Sequence, residues 1–224
     1  MEKDDRICLP WNFIDDFMTA VLMKAGVPEA DARLCSDVLL ESDRRGIESH
    51  GCNRFKPIYI DRIRAGILNP VTKIDVVKET VTTAVLDAND GMGMVASKQA
   101  MEMCIKKAHN YGMGMVAVRN SSHYGIAGYW ASMAVKENMI GITGTNARPS
   151  IVPTFGVENM LGTNPMTIGM PTDEPFPFMI DCATSIIQNG KIEYYAKIGQ
   201  DTPEGTVIAR DGSYMTDSEQ ILKD

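Results

Sequence analysis

Met113-Gly-Met-Val-Ala-Val-Arg-Asn-Ser-Ser-His-Tyr-Gly125 is the stretch whose reading decides the fold. Its first half is a short apolar run that reads as a strand. Its second half is small and polar, and the apolar spacing of a helix follows over 126–137. A strand, a polar loop and a helix in that order are the working unit of an α/β domain. Upstream, 95–111 has helical spacing through Ala100, Met103, Cys104 and Lys107, and Gly112 stops it. Before that, Lys73-Ile-Asp-Val-Val77 and Val81-Thr-Thr-Ala-Val-Leu86 read as a hairpin. Downstream, Met139-Ile-Gly-Ile-Thr143 reads as a strand. Phe176-Pro-Phe-Met-Ile180 reads as an edge strand, because Pro177 has no N–H to donate. The segment 184–198 is mostly helical, with an interruption at Asn189-Gly190.

The N-terminal third has the helical period alone. One helix spans 12–24, with Phe13, Phe17, Val21 and Leu22 on a stripe and Gly26 after it. A second opens at Pro28, with Glu29 and Asp31 at the positive end of its dipole. A third candidate covers 54–65, with Pro57 in its first turn. The expected class is therefore α/β: a helical N-terminal domain over 1–75 and a mixed-sheet domain over 76–224. Gly-Met-Gly-Met occurs at 91–94 and again at 112–115, which invites a dinucleotide-binding reading. The Rossmann fingerprint needs a third glycine three residues after the second, and both copies continue Met-Val-Ala instead.

Composition removes several function classes. With 29 acidic against 22 basic residues and a net charge of −7, the chain lacks the basic stripe that nucleic acid requires. No apolar run approaches the roughly 18–20 residues of a membrane span. The opening Met-Glu-Lys-Asp-Asp-Arg lacks the apolar core of a signal peptide. The five cysteines (Cys8, Cys35, Cys52, Cys104, Cys182) are scattered, so reduced thiols and a cytoplasmic location are expected. The 16 methionines read as core filler.

Of three histidines, His109 stands at a helix C-terminus, where a basic side chain complements the dipole. His50, in Arg45-Gly-Ile-Glu-Ser-His-Gly51, and His123, after the decisive strand, lie in loops beside hydroxyls (Ser49; Ser121 and Ser122) and glycines. Loops at the carboxyl ends of strands carry ligands in open α/β sheets. The plainer alternative is that Ser and His cap helices there. Neither histidine has a third ligand at zinc spacing, so no metal site is expected, and Gly-x-Ser-x-Gly is absent. General acid–base chemistry is the functional reading that is left. A further group of small polar runs, Gly144-Thr-Asn-Ala147, Gly162-Thr-Asn-Pro165 and Asp181-Cys-Ala-Thr-Ser185, each follows or ends an apolar run. They are able to meet at one sheet edge and present donors to a phosphate or amide. Ordinary turns have the same composition.

These segments in combination, with Arg54, Gly190-Lys-Ile-Glu193 and Pro203-Glu-Gly205, resemble the type-2 malate/L-lactate dehydrogenase family. That resemblance implies a non-Rossmann NAD(P)-binding fold, a cofactor that is NAD or NADP, a homodimer, and interconversion of a 2-hydroxy acid with its 2-oxo acid. By the same resemblance His50 and His123 match the two histidines assigned as proton donor, with Ser49 beside His50. Thr145, Asn146, Ala147, Gly162, Thr163, Asn164, Pro165, Asp181, Cys182, Ala183, Thr184 and Ser185 match segments along the cofactor. Arg54, four residues after His50, suits the planar carboxylate of the substrate; a solvated arginine is the alternative. A positioned imidazolium would protonate the alkoxide left by hydride transfer. Members of the family continue beyond the equivalent of Asp224, so the expectation is a truncated form. Part of the apolar face of the first two helices (Phe13, Phe17, Leu39) would then lack cover. The competing expectation is an inactive remnant that only dimerises or binds a ligand.

Overall fold

A computed structural model of the chain describes residues 9–223. Met1-Glu-Lys-Asp-Asp-Arg6 and Cys8 lie outside the described residues. The chain divides into two compact units, one ending at Ile126 and one beginning at Ala127. The boundary expected near residue 75 coincides with the start of the first strand, inside the first unit, where helices give way to sheet.

The first unit opens with α1 (Trp11–Lys24) and α2 (Glu29–Arg44), each entered directly from a proline, Pro10 and Pro28. Proline's fixed φ is already helical, and its missing N–H is one the first turn would leave unpaired anyway. Gly46 ends α2 at φ +71. The third helical candidate is broken up. Glu48–His50 and Cys52–Arg54 are single 3-10 turns, Phe55–Ile60 is a π-helical turn, and α3 is only Asp61–Arg64. Proline at 57 is tolerated because it sits in an early turn, and the wider π turn swings Tyr59 inward to 1% exposure.

A three-stranded sheet follows, in the order β1 (Asp75–Glu79), β2 (Thr83–Gly91), β3 (Met115–Ser121). β1 and β2 form the expected antiparallel hairpin; β2 and β3 run parallel, joined by α4 (Gly93–Tyr111). Ala84, Leu86 and Ala88 alternate into the core, and Met92 and Met94 are fully buried beside them. Full burial of such a side chain is worth about 1.5–3 kcal/mol. The first Gly-Met-Gly-Met is therefore core packing. Its backbone is committed as well: Met92 N–H donates to Thr72 Oγ1 and Gly93 N–H to Ser122 Oγ, both at 2.9 Å. A Cβ on Gly93 would fall 2.1 Å from the Ser122 carbonyl oxygen. The start of α4 thus has these donors occupied and no room for a pyrophosphate. Leu39 is fully buried, so the expected loss of cover does not reach it, whereas Phe13 and Phe17 are more than half exposed.

The second unit has α5 (Ala127–Lys136) packed on an antiparallel sheet of β4 (Gly141–Gly144), β5 (Met166–Met170) and β6 (Phe178–Cys182). Ala127, Trp130, Ala131 and Ala134 form the buried stripe of α5. β6 is an edge strand, in keeping with Pro177 just ahead of it. The central strand β5 was not anticipated, because its glycine and two methionines carry little strand propensity. Gly169 is needed there: a Cβ would meet the Val135 and Met179 side chains at 2.9 Å. The helix expected over 184–198 is α6 (Asn189–Lys197), so Asn189-Gly190 opens it instead of interrupting it, and the short α7 (Ser218–Ile221) follows.

Candidate functional site

In the first unit, the loop after α2 and the loop after β3 bring His50 and His123 together. Their rings stack with centroids 5.6 Å apart and planes 21° from parallel. The turn carrying His50 is held from α2: Asp43 Oδ2 accepts the Cys52 N–H at 2.9 Å, and the buried Ser42 hydroxyl donates to the Ile47 carbonyl at 2.8 Å. Ser49 is buried, with its Oγ 2.9 Å from His50 Nδ1. Arg54 Nε donates to the Ser49 carbonyl at 2.7 Å, which ties the guanidinium to the same turn. His109 stands apart in the last turn of α4, as expected.

His123 lies two residues past β3, at the carboxyl end of the parallel strand pair. Its Nδ1 is 2.6 Å from the Tyr59 hydroxyl and 3.3 Å from the Gly125 nitrogen, whose N–H points at it. Gly125 is at φ +78, and a Cβ there would lie 2.4 Å from Val38 Cγ1. Only glycine lets the backbone pass this point. Burial, first, and then the charges of His50, Arg54 and Arg62 lower the His123 pKa to about 3. The expectation of an imidazolium therefore does not hold for His123, which is neutral at neutral pH. Burial holds the Tyr59 phenol well above its usual range, so it stays a hydroxyl. Cys52, beside His50, is pushed up to about 12 by burial and by Asp43, which leaves it an inert thiol. Tyr59 and Asp43 are the site residues that sequence reasoning missed. A buried tyrosine needs a hydroxyl partner, and that was the signal for Tyr59. Asp43 lies among charged residues at a helix end, where an acid carries no signal of its own.

In the second unit the three small polar runs converge. Gly144 pairs with Met166, and Met166 with Cys182, so the end of β4, the start of β5 and the end of β6 lie side by side. Thr145 N–H donates to the Pro165 carbonyl at 3.2 Å, Ala147 N–H to Asn164 Oδ1 at 2.9 Å, and Thr184 N–H to the Thr163 carbonyl at 2.9 Å. A Cβ on Gly162 would fall 2.3 Å from the Ala147 carbonyl oxygen. The result is a ledge bearing exposed Thr145, Asn146, Cys182 and Thr184, with Ala183 and Ser185 half-buried. The one acid within these runs is engaged: Asp181 accepts from Thr167 Oγ1 at 2.6 Å and from Gly128 N–H, in the first turn of α5, at 2.7 Å. Neutral hydroxyl and carboxamide groups around an occupied carboxylate are a donor set that fits the ribose and phosphates of a dinucleotide. Among the described residues no three His, Cys, Asp or Glu side chains gather as a metal site, and no helix is long and apolar enough to cross a membrane.

Two stacked imidazoles thus stand beside a guanidinium anchored to the turn that carries His50, on an α/β scaffold without the Rossmann glycines. Comparison with known proteins gives the family. The chain belongs to the malate/L-lactate dehydrogenase family, whose family model matches residues 9–224. It is 45% identical over 219 residues to the malate dehydrogenase of Pyrococcus horikoshii, covering 98% of this chain and 60% of that one. To the L-sulfolactate dehydrogenase of Methanocaldococcus jannaschii it is 44% identical over 203 residues, 91% of this chain and 58% of the relative. The crystal structure of malate dehydrogenase from Entamoeba histolytica matches with a TM-score of 0.93 at 46% identity, covering 96% of this chain and 60% of that one. The chain thus spans about 60% of the length of these relatives.

Proposed function

We propose that the chain serves the NAD(P)-dependent interconversion of a 2-hydroxy acid and its 2-oxo acid, of the malate, lactate or sulfolactate kind. The observation that carries this reading is the stacked pair of His50 and His123 with Arg54 tied to the turn that carries His50. A 2-oxo acid offers a carboxylate and an adjacent carbonyl, and the two parts match a guanidinium and an imidazole. When bound, the nicotinamide would supply or take up the hydride at the carbon bearing the oxygen. The runs 145–147, 162–165 and 181–185 are the residues that would hold it. A homodimer in the cytoplasm belongs to the same reading, and the free thiols of Cys35, Cys52, Cys104 and Cys182 agree with a reducing compartment.

Two imidazoles this close do not both carry a charge, so the pair takes up at most one proton beyond the N–H of each neutral ring. His123 is the ring that gives it up, which leaves it to polarise the carbonyl as a neutral hydrogen-bond donor. His50 then delivers the proton to the oxygen in reduction and takes it back in oxidation. Arg54 orients the carboxylate, and its charge favours the developing alkoxide. The test is the nicotinamide absorbance assay with 2-oxo acids, on this chain and on one extended with the C-terminal portion of the Pyrococcus horikoshii relative. His50→Ala and His123→Ala should each lower kcat by about 10²–10⁴-fold, and His109→Ala by almost nothing. His50→Gln should abolish the loss of reduction rate at high pH, whereas His123→Gln should keep it. Small, equal effects at all three histidines would sink the assignment.

A further inference from the structure

We propose that Tyr59 is a positioning residue: with the Gly125 N–H it fixes His123 as the tautomer that carries its proton on Nε2. Of the two groups that meet His123 Nδ1, the Gly125 N–H has only one possible role. A backbone N–H only donates, so Nδ1 of His123 must accept from Gly125, at 3.3 Å. A nitrogen that accepts carries no proton, so the Tyr59 hydroxyl, 2.6 Å from the same atom, must donate as well. Both donors are fixed by packing. Tyr59 is 1% exposed in the π-helical turn, and its ring meets the imidazole edge-on with centroids 5.8 Å apart. Gly125 is held by its positive φ and the absence of room beside Val38.

The consequence is chemical. In a neutral imidazole whose Nδ1 accepts, Nε2 is the N–H donor. A His123 presenting a bare Nε2 would meet a carbonyl or alkoxide oxygen lone pair to lone pair. Presenting Nε2–H, it hydrogen-bonds that oxygen and does so more strongly as negative charge develops. Protonating Nδ1 would also set its new N–H against that of Gly125, in keeping with the low basicity of this ring. The role of Nε2 toward substrate rests on the proposed function. The tautomer does not, and it is measured without turnover.

The experiment is ring-¹⁵N histidine NMR on the 224-residue chain between pH 5 and 8, with the three rings assigned through His50→Gln and His109→Gln. His123 is expected to show a proton-bearing Nε2 and an unprotonated Nδ1 throughout. In Tyr59→Phe, which removes one oxygen and keeps the buried ring, the other tautomer should become populated. In a chain that turns over, Tyr59→Phe should lower kcat by about 10–100-fold with KM for the acid nearly unchanged, as for other partners that orient an imidazole. A proton on Nδ1 in the unsubstituted chain overturns the proposal outright. So does a Tyr59→Phe variant that keeps a pure Nε2–H tautomer, because Gly125 would then suffice. If the tautomer behaves as stated but no 2-oxo acid is reduced, it is the functional reading that fails.

Discussion

The carboxylate of Asp43 occupies the space a side chain on Gly51 would need, with Oδ1 1.8 Å from the position of an ideal Cβ. The same carboxylate accepts the Cys52 N–H. Asp43 and Gly51 together therefore fix where the turn carrying His50 runs. Gly51→Ala should force the carboxylate aside and displace that turn. Asp43→Ala leaves the Cys52 N–H without its acceptor, at a cost of about 1–3 kcal/mol. Denaturant midpoints should fall in both variants. Of the two, Gly51→Ala should also separate the His50 and His123 ring signals in NMR. An unchanged midpoint in both would show the turn to be held by other contacts.

Arg54→Lys tests the anion clamp. Lysine can replace the charge, but not both the Nε contact to Ser49 and a paired contact to a carboxylate. One lost charge-assisted hydrogen bond is worth about 1.5–3 kcal/mol. KM for the 2-oxo acid should rise tenfold or more, while KM for the cofactor stays within about twofold. A parallel rise in both would assign Arg54 to the scaffold.

The buried imidazole has a signature in stability against pH. In the unfolded chain His123 titrates near its ordinary 6.5; folded, it titrates at about 3. Between those values the unfolded chain binds a proton that the native ring refuses, so stability is lost as pH falls from about 6.5 toward 3. Each unit of that window is worth up to about 1.4 kcal/mol. Urea midpoints at pH 7, 6, 5 and 4 should fall more steeply for the unsubstituted chain than for His123→Gln. Equal slopes would mean that His123 accepts its proton in the native state.

Asp181 and the ledge beside it should separate by phenotype. Asp181→Ala removes the acceptor of the buried Thr167 hydroxyl and of the Gly128 N–H, so it should lower stability by about 1–3 kcal/mol. Thr145→Ala and Asn146→Ala alter exposed side chains and should leave the melting temperature alone. Their effect should appear in NADH titrations as weaker binding. A ledge variant that binds NADH unchanged would remove that residue from the cofactor's contacts.

Periodicity and residue chemistry, which any chain carries locally, made much of this protein legible beforehand. Pro28 at the entry to α2, the β1–β2 hairpin, α4, β3 and α5 all follow from local sequence, because burying one face of an element imposes its period on the sequence. The absence of a Rossmann glycine was equally plain, and so were the two loop histidines set apart from His109. Tertiary structure alone decided the rest. It set Tyr59 on His123, 64 residues away, through a π-helical turn that no spacing announces. Fitted among charged neighbours at the end of α2, Asp43 became the support of Gly51. The Gly-Met-Gly-Met run closed on Thr72 and Ser122, which turned an apparent nucleotide loop into core. Burial beside His50 lowered the basicity of the ring that the family resemblance suggested as a cation. Each of these outcomes depends on what lies opposite a side chain in space. A linear sequence specifies that only through the whole fold.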